Sequence, residues 1–496
     1  MFPQGLASMA INSISTLLTS KSIQPKKGRI SYSFVSGDYE VSSLVKQNIR
    51  HIFSNLLSPL VTARFVETTQ AADINFWLHD FEDYYAYELE SDIFLQRSYD
   101  NAITKNGFQS GVGSHGFMSI MHEIMHALGF KHPGNYNDSD VDFGPFLPYE
   151  LDNTTNTVLS YNFAGTGAAS LMPYDVEAIR YVYGKRGLNA GRTHYSFSTI
   201  SSFTDGKRTW GDTQNDSKLT LIDDGGFDKV DFSQLKSLAS GYLLDARVGG
   251  IFTTNDAYNA VAYIPNDRLV DAPLEQTTSN YGTRVGFKTQ IESIVGSRSD
   301  DLIVAGKKTR TIAAGAGNDT VYGRDRQNDI TGGRGNDYIA GGQKNDRLAG
   351  EAGNDTLYGG AGRDSLTGGV GNDTLFGQNG SDSLVGGEGN DALFGTDGSL
   401  SWEMDELIGG GGRDRFILGT AEQIFYRGKG HAIIKDFQAG IDQIQLSLGS
   451  DQYTLKALSP KESSVFNTHL YYKKNLIAVI ESVEVQTLNS RDFAFV

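Results

Sequence analysis

The chain has 496 residues, enough for two or three domains with sizeable cores. It carries 43 Lys and Arg against 59 Asp and Glu, a net charge of −16 that disfavours nucleic acid and anionic membranes as partners and favours divalent cations. It has no cysteine, which excludes disulfides, thiolate zinc sites and a cysteine nucleophile, and no apolar run reaches the roughly 18 residues of a membrane span.

The first segment, residues 1–27, is small, polar and weakly patterned. We predict a leader or pro-segment there. The segment lacks the basic start and the continuous apolar block of a cleavable secretory signal, so we expect no N-terminal signal peptide.

Strand and helix patterns follow one another after this leader. Arg29–Phe34 alternates as a strand does, and residues 41–56 place apolar side chains at helical spacing. Asp73–His79 alternates again, and Ser91–Gln96 has the composition of a short strand. This order predicts an α+β domain with a helix beneath a sheet, which we place at residues 28–190.

Three of the nine histidines of the chain fall within residues 122–132. We predict a helix over residues 114–128. On that helix His122 and His126, four residues apart, lie one turn apart on one face, close enough to bind the same ion.

The residues around these two histidines complete a candidate site. Glu123 points about 100° away from His122, a direction that suits a group acting on a metal-bound water better than a ligand. Gly129 can adopt the left-handed backbone that ends the helix, and the turn can deliver His132 as a third imidazole.

Three neutral imidazoles with an open fourth position match a catalytic zinc, because structural zinc sites are usually closed by four protein ligands. The pattern therefore predicts one zinc ion, held by His122, His126 and His132. The alternative is a solvated surface helix, and the register of Gly129, His132 and Pro133 disfavours it.

Two further elements follow the histidine motif. A polar loop through Asn135 and Asp140 leads to Thr157–Tyr161, and Tyr174–Tyr183 has the pattern of a second helix that Gly184 can end. We place the domain boundary after this helix and assign residues 191–496 to a C-terminal domain.

A nine-residue repeat begins at Gly296 and runs without insertion through eleven windows. The eighth position is aliphatic in every window, and the sixth is aspartate except at Arg310 and Asn328. The register breaks near Gly395 and resumes at Gly409–Ile417, so the repeats occupy about residues 296–417. The aspartates that we single out as calcium ligands are Asp319, Asp337, Asp346, Asp355, Asp364, Asp373, Asp382 and Asp391.

The repeat predicts a glycine-rich turn followed by a three-residue strand, stacked so that two units form one coil of a parallel β-roll. The turns offer carboxylates and backbone carbonyls, the hard oxygen ligands that calcium prefers, so several structural calcium ions are expected. Because unneutralised aspartates repel and glycine is costly to order, calcium binding and folding should be coupled. The alternative is a flexible low-complexity linker, which unbroken register disfavours.

The end of the chain predicts a cap on this roll. Residues 433–437, 441–446 and 476–485 have the composition of strands. The last five residues, Asp492–Val496, are an aspartate followed by apolar residues, which can be a final buried strand or a targeting signal.

These motifs, in this order, resemble the serralysin-type zinc metalloproteases, a calcium-dependent, secreted bacterial branch of the metzincins. The resemblance covers the chain from about Arg29 to its end. It implies that His122, His126 and His132 bind zinc and that Glu123 is the general base. It also implies an α+β metzincin-like catalytic domain followed by an all-β parallel β-roll.

The same resemblance gives a role to Val158–Tyr161. The family has a tight turn beneath the zinc in which a methionine is followed by a serine and by a tyrosine that faces the metal. Tyr161 takes the tyrosine position, whereas Leu159 stands where methionine is expected. Leucine has a similar volume, so we expect the apolar floor and the activity to survive.

The resemblance implies a secreted zinc metalloendopeptidase of broad specificity that acts on protein and peptide substrates as a monomer. Such proteins leave the bacterium through a type I (ABC) exporter that reads a C-terminal signal, which Asp492–Val496 resembles. Ser91–Gln96 is our candidate for an edge strand that aligns the peptide. The alternative function is a secreted calcium-dependent binding or adhesion protein whose metalloprotease-like domain is inert.

Overall fold

The computed structural model describes residues 17–19, 23–25, 28–81, 85–101, 106–134, 147, 152–211, 216–258, 261–263, 276–279, 281–398, 402–447, 452–458 and 467–496. Most of the predicted leader and the polar loop from Asn135 to Asp140 lie outside these residues.

The chain divides into two compact units. The first comprises residues 1–228 and 243–290, and the second comprises residues 229–242 and 291–496. This division is based on compactness and not on catalytic function, so the boundary expected near residue 190 stays a prediction. None of the described helices is both long and apolar enough to cross a membrane.

Three α-helices are described in the first unit, and each matches a predicted helix. Helix α1, Ser43–His51, continues as a π-helix over Ile52–Leu57. Helix α2 is His115–Ala127, and helix α3 is Pro173–Tyr183, after which Gly184 adopts φ +78°. A short 3-10 helix follows the sheet at Arg97–Tyr99.

A five-stranded sheet has the order β2-β1-β3-β5-β4, and only β4 runs antiparallel to its neighbour. Its strands are β1 Arg29–Phe34, β2 Arg64–Glu67, β3 Ile74–His79, β4 Ala86–Leu89 and β5 Asp92–Gln96. The strands predicted at β1, β3 and β5 are confirmed. The expectation that Ser91–Gln96 is an edge strand is wrong, because β5 pairs with β3 on one side and β4 on the other.

The core of this sheet is apolar and aromatic. Ile30, Ile74, Phe76 and Ile93 have no exposed surface, and the ring of Tyr32 stacks on Phe53 of the π-helix at a centroid distance of 4.2 Å. In β3 every second residue is buried, as the period of two requires. This confirms an α+β unit with helices packed on the sheet.

The next strands are β6 His194–Thr199, β7 Ser202–Thr204, β8 Thr209–Gly211, β9 Lys218–Leu221, β10 Lys229–Asp231, β11 Tyr242–Asp245, β12 Ile251–Thr254, β13 Val261–Tyr263, β14 Gln276–Thr278 and β15 Gly282–Val285. Within the first unit, β6, β7 and β8 form an antiparallel meander, and β13 pairs antiparallel with β14. Strand β15 pairs parallel with β9 and antiparallel with β12.

The repeats of the second unit form a parallel β-roll, as predicted. Strands pair with the strand 18 residues onward, for example Ile312 with Ile330 and Val321 with Ile339, so two nine-residue units make one coil. The strands are β16 Ser293–Val295, β17 Leu302–Val304, β18 Thr311–Ala316, β19 Thr320–Arg324, β20 Asp329–Arg334, β21 Tyr338–Gln343, β22 Arg347–Ala352, β23 Thr356–Gly362, β24 Ser365–Val370, β25 Thr374–Gly380, β26 Ser383–Glu388, β27 Ala392–Phe394, β28 Met404–Gly411 and β29 Arg415–Ile417.

Successive strands of the roll alternate between two sheets, and the aliphatic residue of each repeat points between them. These residues, from Ile303 to Leu393, are at most 2 % exposed. Most strands are longer than the three residues expected, because the glycine-rich backbone also pairs, as between Gly315 and Gly333. Beyond the break at Gly395, Leu384 pairs with Leu407, a step of 23 residues instead of 18.

The predicted cap follows the last coil. Its strands are β30 His431–Ile434, β31 Gln443–Leu446, β32 Tyr453–Leu458, β33 Asn467–Tyr472, β34 Asn475–Ile480 and β35 Phe493–Phe495, with a 3-10 helix at Val485–Thr487. The end of the chain is a strand, since β35 pairs parallel with β31. Asp492 before it is fully buried and accepts hydrogen bonds from the backbone N–H groups of Gly440 and Asn489.

Candidate metal centre

Helix α2 begins and ends where local chemistry requires. The Ser114 side chain accepts a hydrogen bond from the Phe117 N–H at 3.1 Å, which satisfies one of the first free amides. At the other end Gly129 adopts φ +91°, and its N–H donates to the carbonyl of His126 at 2.8 Å. This left-handed turn redirects the chain toward His132, as expected from the sequence.

The turn brings three imidazole nitrogens to one point. The Nε2 of His126 lies 2.9 Å from that of His122 and 3.1 Å from that of His132, and the third separation is 3.3 Å. Nitrogens bound tetrahedrally to one zinc ion are about 3.3–3.4 Å apart. Three facing lone pairs repel one another unless a cation lies between them. The donor set therefore fits a divalent ion, and among the described residues these histidines form the metal-ligating cluster.

Backbone carbonyls orient two of these rings. Nδ1 of His122 lies 2.8 Å from the carbonyl oxygen of Val158, and Nδ1 of His126 lies 2.8 Å from that of Phe130. A carbonyl only accepts, so Nδ1 must carry the proton and Nε2 keeps its lone pair. Both rings are thus held in the tautomer that a metal ligand needs.

Burial keeps the two rings neutral. It lowers the pKa of His122 to about 3, with a further contribution from the charge of His126, and it also lowers the pKa of His126. Neutral imidazole is the form that binds a metal ion.

Glu123 follows His122 on the same helix and is only 8 % exposed. Burial, and secondarily the negative charge of Glu88, raises the pKa of Glu123 to about 8 in the metal-free chain. Glu88 lies on β4, which packs against α2. In the strand order, β4 is one of the two edge strands of the sheet, and it lies beside the helix that carries the candidate base.

Tyr161 lies against the histidine cluster. Its ring centroid is 4.2 Å from that of His132 and 5.7 Å from that of His122, nearly parallel to the latter. Leu159, two residues earlier, has no exposed surface. The turn that carries both residues is thus part of the same site.

Asp175 is a residue of this site that sequence reasoning missed. Its carboxylate accepts hydrogen bonds from the Thr157 hydroxyl at 2.5 Å, the Val158 N–H at 2.8 Å and the Met172 N–H at 2.9 Å. It is fully buried, which raises its pKa to about 7. Its position as an acidic residue three places after the N-cap of α3 was the available signal.

The aspartates of the roll form a second candidate metal region. In each of the eight predicted ligands, Oδ1 accepts a hydrogen bond from the backbone N–H of the residue 18 positions earlier, as Asp337 does from Asp319 at 2.8 Å. The other oxygen, Oδ2, is buried and has no hydrogen-bond partner within the described ranges. This holds for all eight predicted ligands: Asp319, Asp337, Asp346, Asp355, Asp364, Asp373, Asp382 and Asp391.

Only glycine fits beside these oxygens. A Cβ added at Gly332 would lie 2.2 Å from Oδ2 of Asp337, and one added at Gly350 would lie 2.2 Å from Oδ2 of Asp355. Burial raises the pKa of Asp319 and most other members of the row, to about 7 at Asp319. A buried carboxylate oxygen without a partner is costly, and a calcium ion would remove that cost. The donor set therefore fits calcium.

Asn328 and Asp405 are among the positions of the row that differ. At Asn328 an amide replaces the carboxylate, and its Nδ2 donates to the carbonyl of Thr309 at 3.0 Å. At Asp405 the Oδ2 already accepts a hydrogen bond from the Tyr426 hydroxyl at 2.5 Å. These two positions lack the free buried carboxylate oxygen that their neighbours present.

Comparisons with known proteins agree with both regions. The RTX calcium-binding nonapeptide repeat family matches in four copies, at residues 311–339, 331–366, 340–375 and 367–399. The chain is 32% identical over 157 residues to Serralysin of Proteus mirabilis, covering 28% of this chain and 31% of that protein. It is 35% identical over 159 residues to Serralysin G of Dickeya chrysanthemi, with the same coverage.

A third relative is Metalloprotease AprA of Pseudomonas entomophila, 31% identical over 141 residues, covering 25% of this chain and 28% of that protein. The chain thus matches about a third of the length of these curated relatives. A solved structure, the extracellular lipase LipA of Serratia marcescens, matches with a TM-score of 0.17 at 15% identity over 44% of this chain and 45% of that one, which supports no statement on fold.

The resemblance to serralysin-type proteins with RTX repeats is confirmed by these matches. The repeats imply calcium binding, and the relatives named serralysin and metalloprotease indicate similarity to a metalloprotease.

Proposed function

We propose that this chain is a secreted, calcium-stabilised zinc metalloendopeptidase that hydrolyses peptide bonds of protein substrates with broad specificity. The observation that carries this proposal is the convergence of three imidazole Nε2 atoms within 3.3 Å, with a buried glutamate next to the first ligand. The similarity to serralysins supports it.

In this proposal His122, His126 and His132 hold one zinc ion, because all three present a lone pair to one point. When bound, zinc lowers the pKa of a water ligand and polarises the carbonyl of the substrate. The carbonyls of Val158 and Phe130 keep two of the rings in register for this ion.

Glu123 is the general base of the proposed reaction. It takes a proton from the attacking water and returns it to the nitrogen of the leaving amine, so that the carbonyl–nitrogen bond breaks with no net change in the enzyme. The surroundings of Glu123 exclude water, which favours proton transfer to the substrate over transfer to solvent.

Tyr161 is proposed to donate a hydrogen bond to the developing oxyanion of the scissile carbonyl. Its contact with two of the histidine rings supports this role. Leu159 replaces the methionine of the family, and its complete burial supports a role as an apolar floor.

The substrate is proposed to bind as an extended strand beside β4. This strand pairs with β5 on one side only, and β4 packs against α2. Backbone pairing depends little on the side chains of the substrate, which favours broad specificity.

The domain assignment is part of the same proposal. Residues 1–27 are a pro-segment, residues 28–190 are catalytic, and residues 191–496 carry the calcium-binding roll and a C-terminal export signal for a type I exporter. The eight aspartates with unpartnered Oδ2 atoms bind calcium, which is scarce in the cytosol and plentiful outside. The difference in calcium concentration then explains both export as an unfolded chain and folding outside the cell.

A casein zymogram tests the enzyme. We expect clearing in calcium that a zinc chelator abolishes and added zinc restores. Glu123→Ala should retain zinc and lose clearing, whereas the matched control Glu422→Ala, at an exposed position, should clear as the parent does. If the zinc-loaded, folded parent cleared nothing, the chain would instead be an inert calcium-dependent binding protein with a metalloprotease-like domain.

A further inference from the structure

Two cationic side chains of the first unit share one face of a strand pair. In the parallel register of β9 and β15, Lys218 pairs with Gly282 and Thr220 pairs with Arg284. Paired residues point to the same side, and so do residues two apart along a strand. Lys218, Thr220 and Arg284 therefore lie together, opposite the leucines of β9.

Lys218 is buried and Arg284 is partly buried, and neither has a carboxylate partner among the described residues. Lys218 is 1 % exposed, and the one hydrogen bond described for its ammonium group goes to the Thr154 hydroxyl at 3.5 Å. Arg284 is partly buried and donates to Oδ1 of Asn156 at 2.7 Å. In the part of the chain that the structure describes, neither forms an ion pair.

Asp245, whose negative charge acts on Arg284, already has a partner. Asp245 affects the pKa of Arg284, yet both of its oxygens accept from Arg247, at 2.8 and 2.6 Å. Burial, and secondarily the positive charge of Arg284, lowers the pKa of Lys218 to about 7. A negative charge beside the two side chains would favour the charged form of Lys218.

Two donors on this face also lack partners. Nε of Arg284 and Oγ1 of Thr220 are buried and make no hydrogen bond to any described residue. An unsatisfied buried donor and an unpaired buried charge are each costly. An anion in contact with Lys218 and Arg284 would remove both costs together.

We propose that Lys218, Arg284, Thr220 and the loop at Thr154–Asn156 form a binding site for a small monovalent inorganic anion, such as chloride. Hydroxyl and amide groups lie beside the two cations, so a hydrated halide can exchange its waters for protein donors. Without a bound anion, the cationic groups of Lys218 and Arg284 would repel each other on one face of the strand pair.

The site is connected to the loop that carries Tyr161. The Thr154 N–H donates to the carbonyl of Asn162 at 3.1 Å, and the Thr154 hydroxyl accepts from the Ala164 N–H at 3.0 Å. Asn156 accepts from the Tyr174 N–H at 3.2 Å through its carbonyl. An anion that binds Thr154 and Asn156 would therefore hold the segment on both sides of Tyr161 in place.

The test uses the full, calcium-loaded chain and does not depend on proteolysis. Sodium gluconate is exchanged stepwise for sodium chloride or bromide at constant ionic strength, with calcium supplied as gluconate. We expect the melting temperature to rise saturably by about 1–3 °C. Crystals grown in bromide should show an anomalous peak within hydrogen-bonding distance of Lys218 Nζ and Arg284. Equal melting curves in all three anions, or bromide found only elsewhere, would overturn the proposal.

Variants separate this site from general salt effects. Lys218→Met keeps the length of the side chain and removes its charge, so the halide-dependent rise should vanish. Lys207→Met, at an exposed position, should keep the full rise. Arg284→Gln provides a second variant should Lys218→Met fail to fold, and it should weaken the halide response at least tenfold. A halide response unchanged in Arg284→Gln would refute the assignment.

Discussion

The carboxylate of Asp175 accepts a hydrogen bond from the backbone N–H of Val158 at 2.8 Å, and the carbonyl of the same Val158 lies 2.8 Å from Nδ1 of His122. The backbone of one residue, Val158, thus connects a buried acid on α3 to a proposed zinc ligand on α2. The acid also holds Thr157, at the start of the turn that carries Tyr161. Asp175 therefore helps to position the candidate site without belonging to the histidine cluster.

This relationship predicts the effect of removing the acid. Asp175→Ala should lower the free energy of unfolding by about 2–4 kcal/mol, because three buried donors lose their acceptor. Asp175→Asn should lose less, since an amide oxygen still accepts. Chemical denaturation in calcium measures the change, and zinc content measures the loss of His122 positioning. Asp325→Ala, at an exposed aspartate, should change stability by less than about 0.5 kcal/mol. If Asp175→Ala had the stability and zinc content of the parent, the turn would not depend on the Asp175 carboxylate.

The aspartate row predicts opposite pH responses with and without calcium. Burial raises the pKa of Asp319 and Asp337 to about 7 in the folded, metal-free chain, above the value of about 3.9 in an unfolded one. The folded form then binds more protons between these values, so the stability of the metal-free roll should fall as pH rises from about 4 to 7. Calcium needs the ionised carboxylates, so its affinity should rise over the same range.

Circular dichroism checks this prediction. In chelator, the β signal of the roll should be larger at pH 5.5 than at pH 7.5. In a calcium titration, the midpoint should move to lower calcium at pH 7.5. A midpoint that is indifferent to pH would mean that the aspartates do not bind the ion.

Leu17, in the predicted leader, is buried next to the segment that follows helix α2. Its carbonyl accepts from the Lys131 N–H at 3.0 Å, the Thr19 N–H donates to Gly129 at 3.1 Å, and Leu17 has no exposed surface. We expect Leu17→Ala to lower the free energy of unfolding by about 2–4 kcal/mol. Leu18→Ala, at the partly exposed neighbour, should cost less than half as much. Equal, negligible effects would contradict a packed role for this segment.

We expect the buried position of Leu159, beneath the candidate site, to tolerate methionine. Leu159→Met introduces, at a buried position, the methionine that serralysin-type proteins have there, and the two side chains have nearly equal volume, so stability should change by less than about 1.5 kcal/mol. We expect zinc content to be unchanged and kcat/KM to stay within about threefold of the parent. A rise of tenfold or more would show that leucine weakens the site, and a loss of folding would show that the pocket is tuned to leucine.

Much of the candidate site could be predicted from the sequence because its information is local. His122 and His126 are four residues apart on one helix, and Gly129 is the turn residue that leads to His132. The helix observed at His115–Ala127 and the left-handed Gly129 follow from these few positions. The roll is equally local, since a nine-residue period determines which residue of each coil enters the core.

Only the tertiary structure decided which distant groups meet. The order of strands places β4, not Ser91–Gln96, at the edge of the sheet, because strand order depends on pairing across the chain and not on the composition of any strand. Asp175 reaches Val158, Leu17 reaches Lys131, and Lys218 shares a face with Arg284 for the same reason. The sequence by itself indicated the candidate ligands, through their spacing, and the repeat, through its period, whereas the partners that hold these residues depend on hydrogen bonds between residues far apart in the chain.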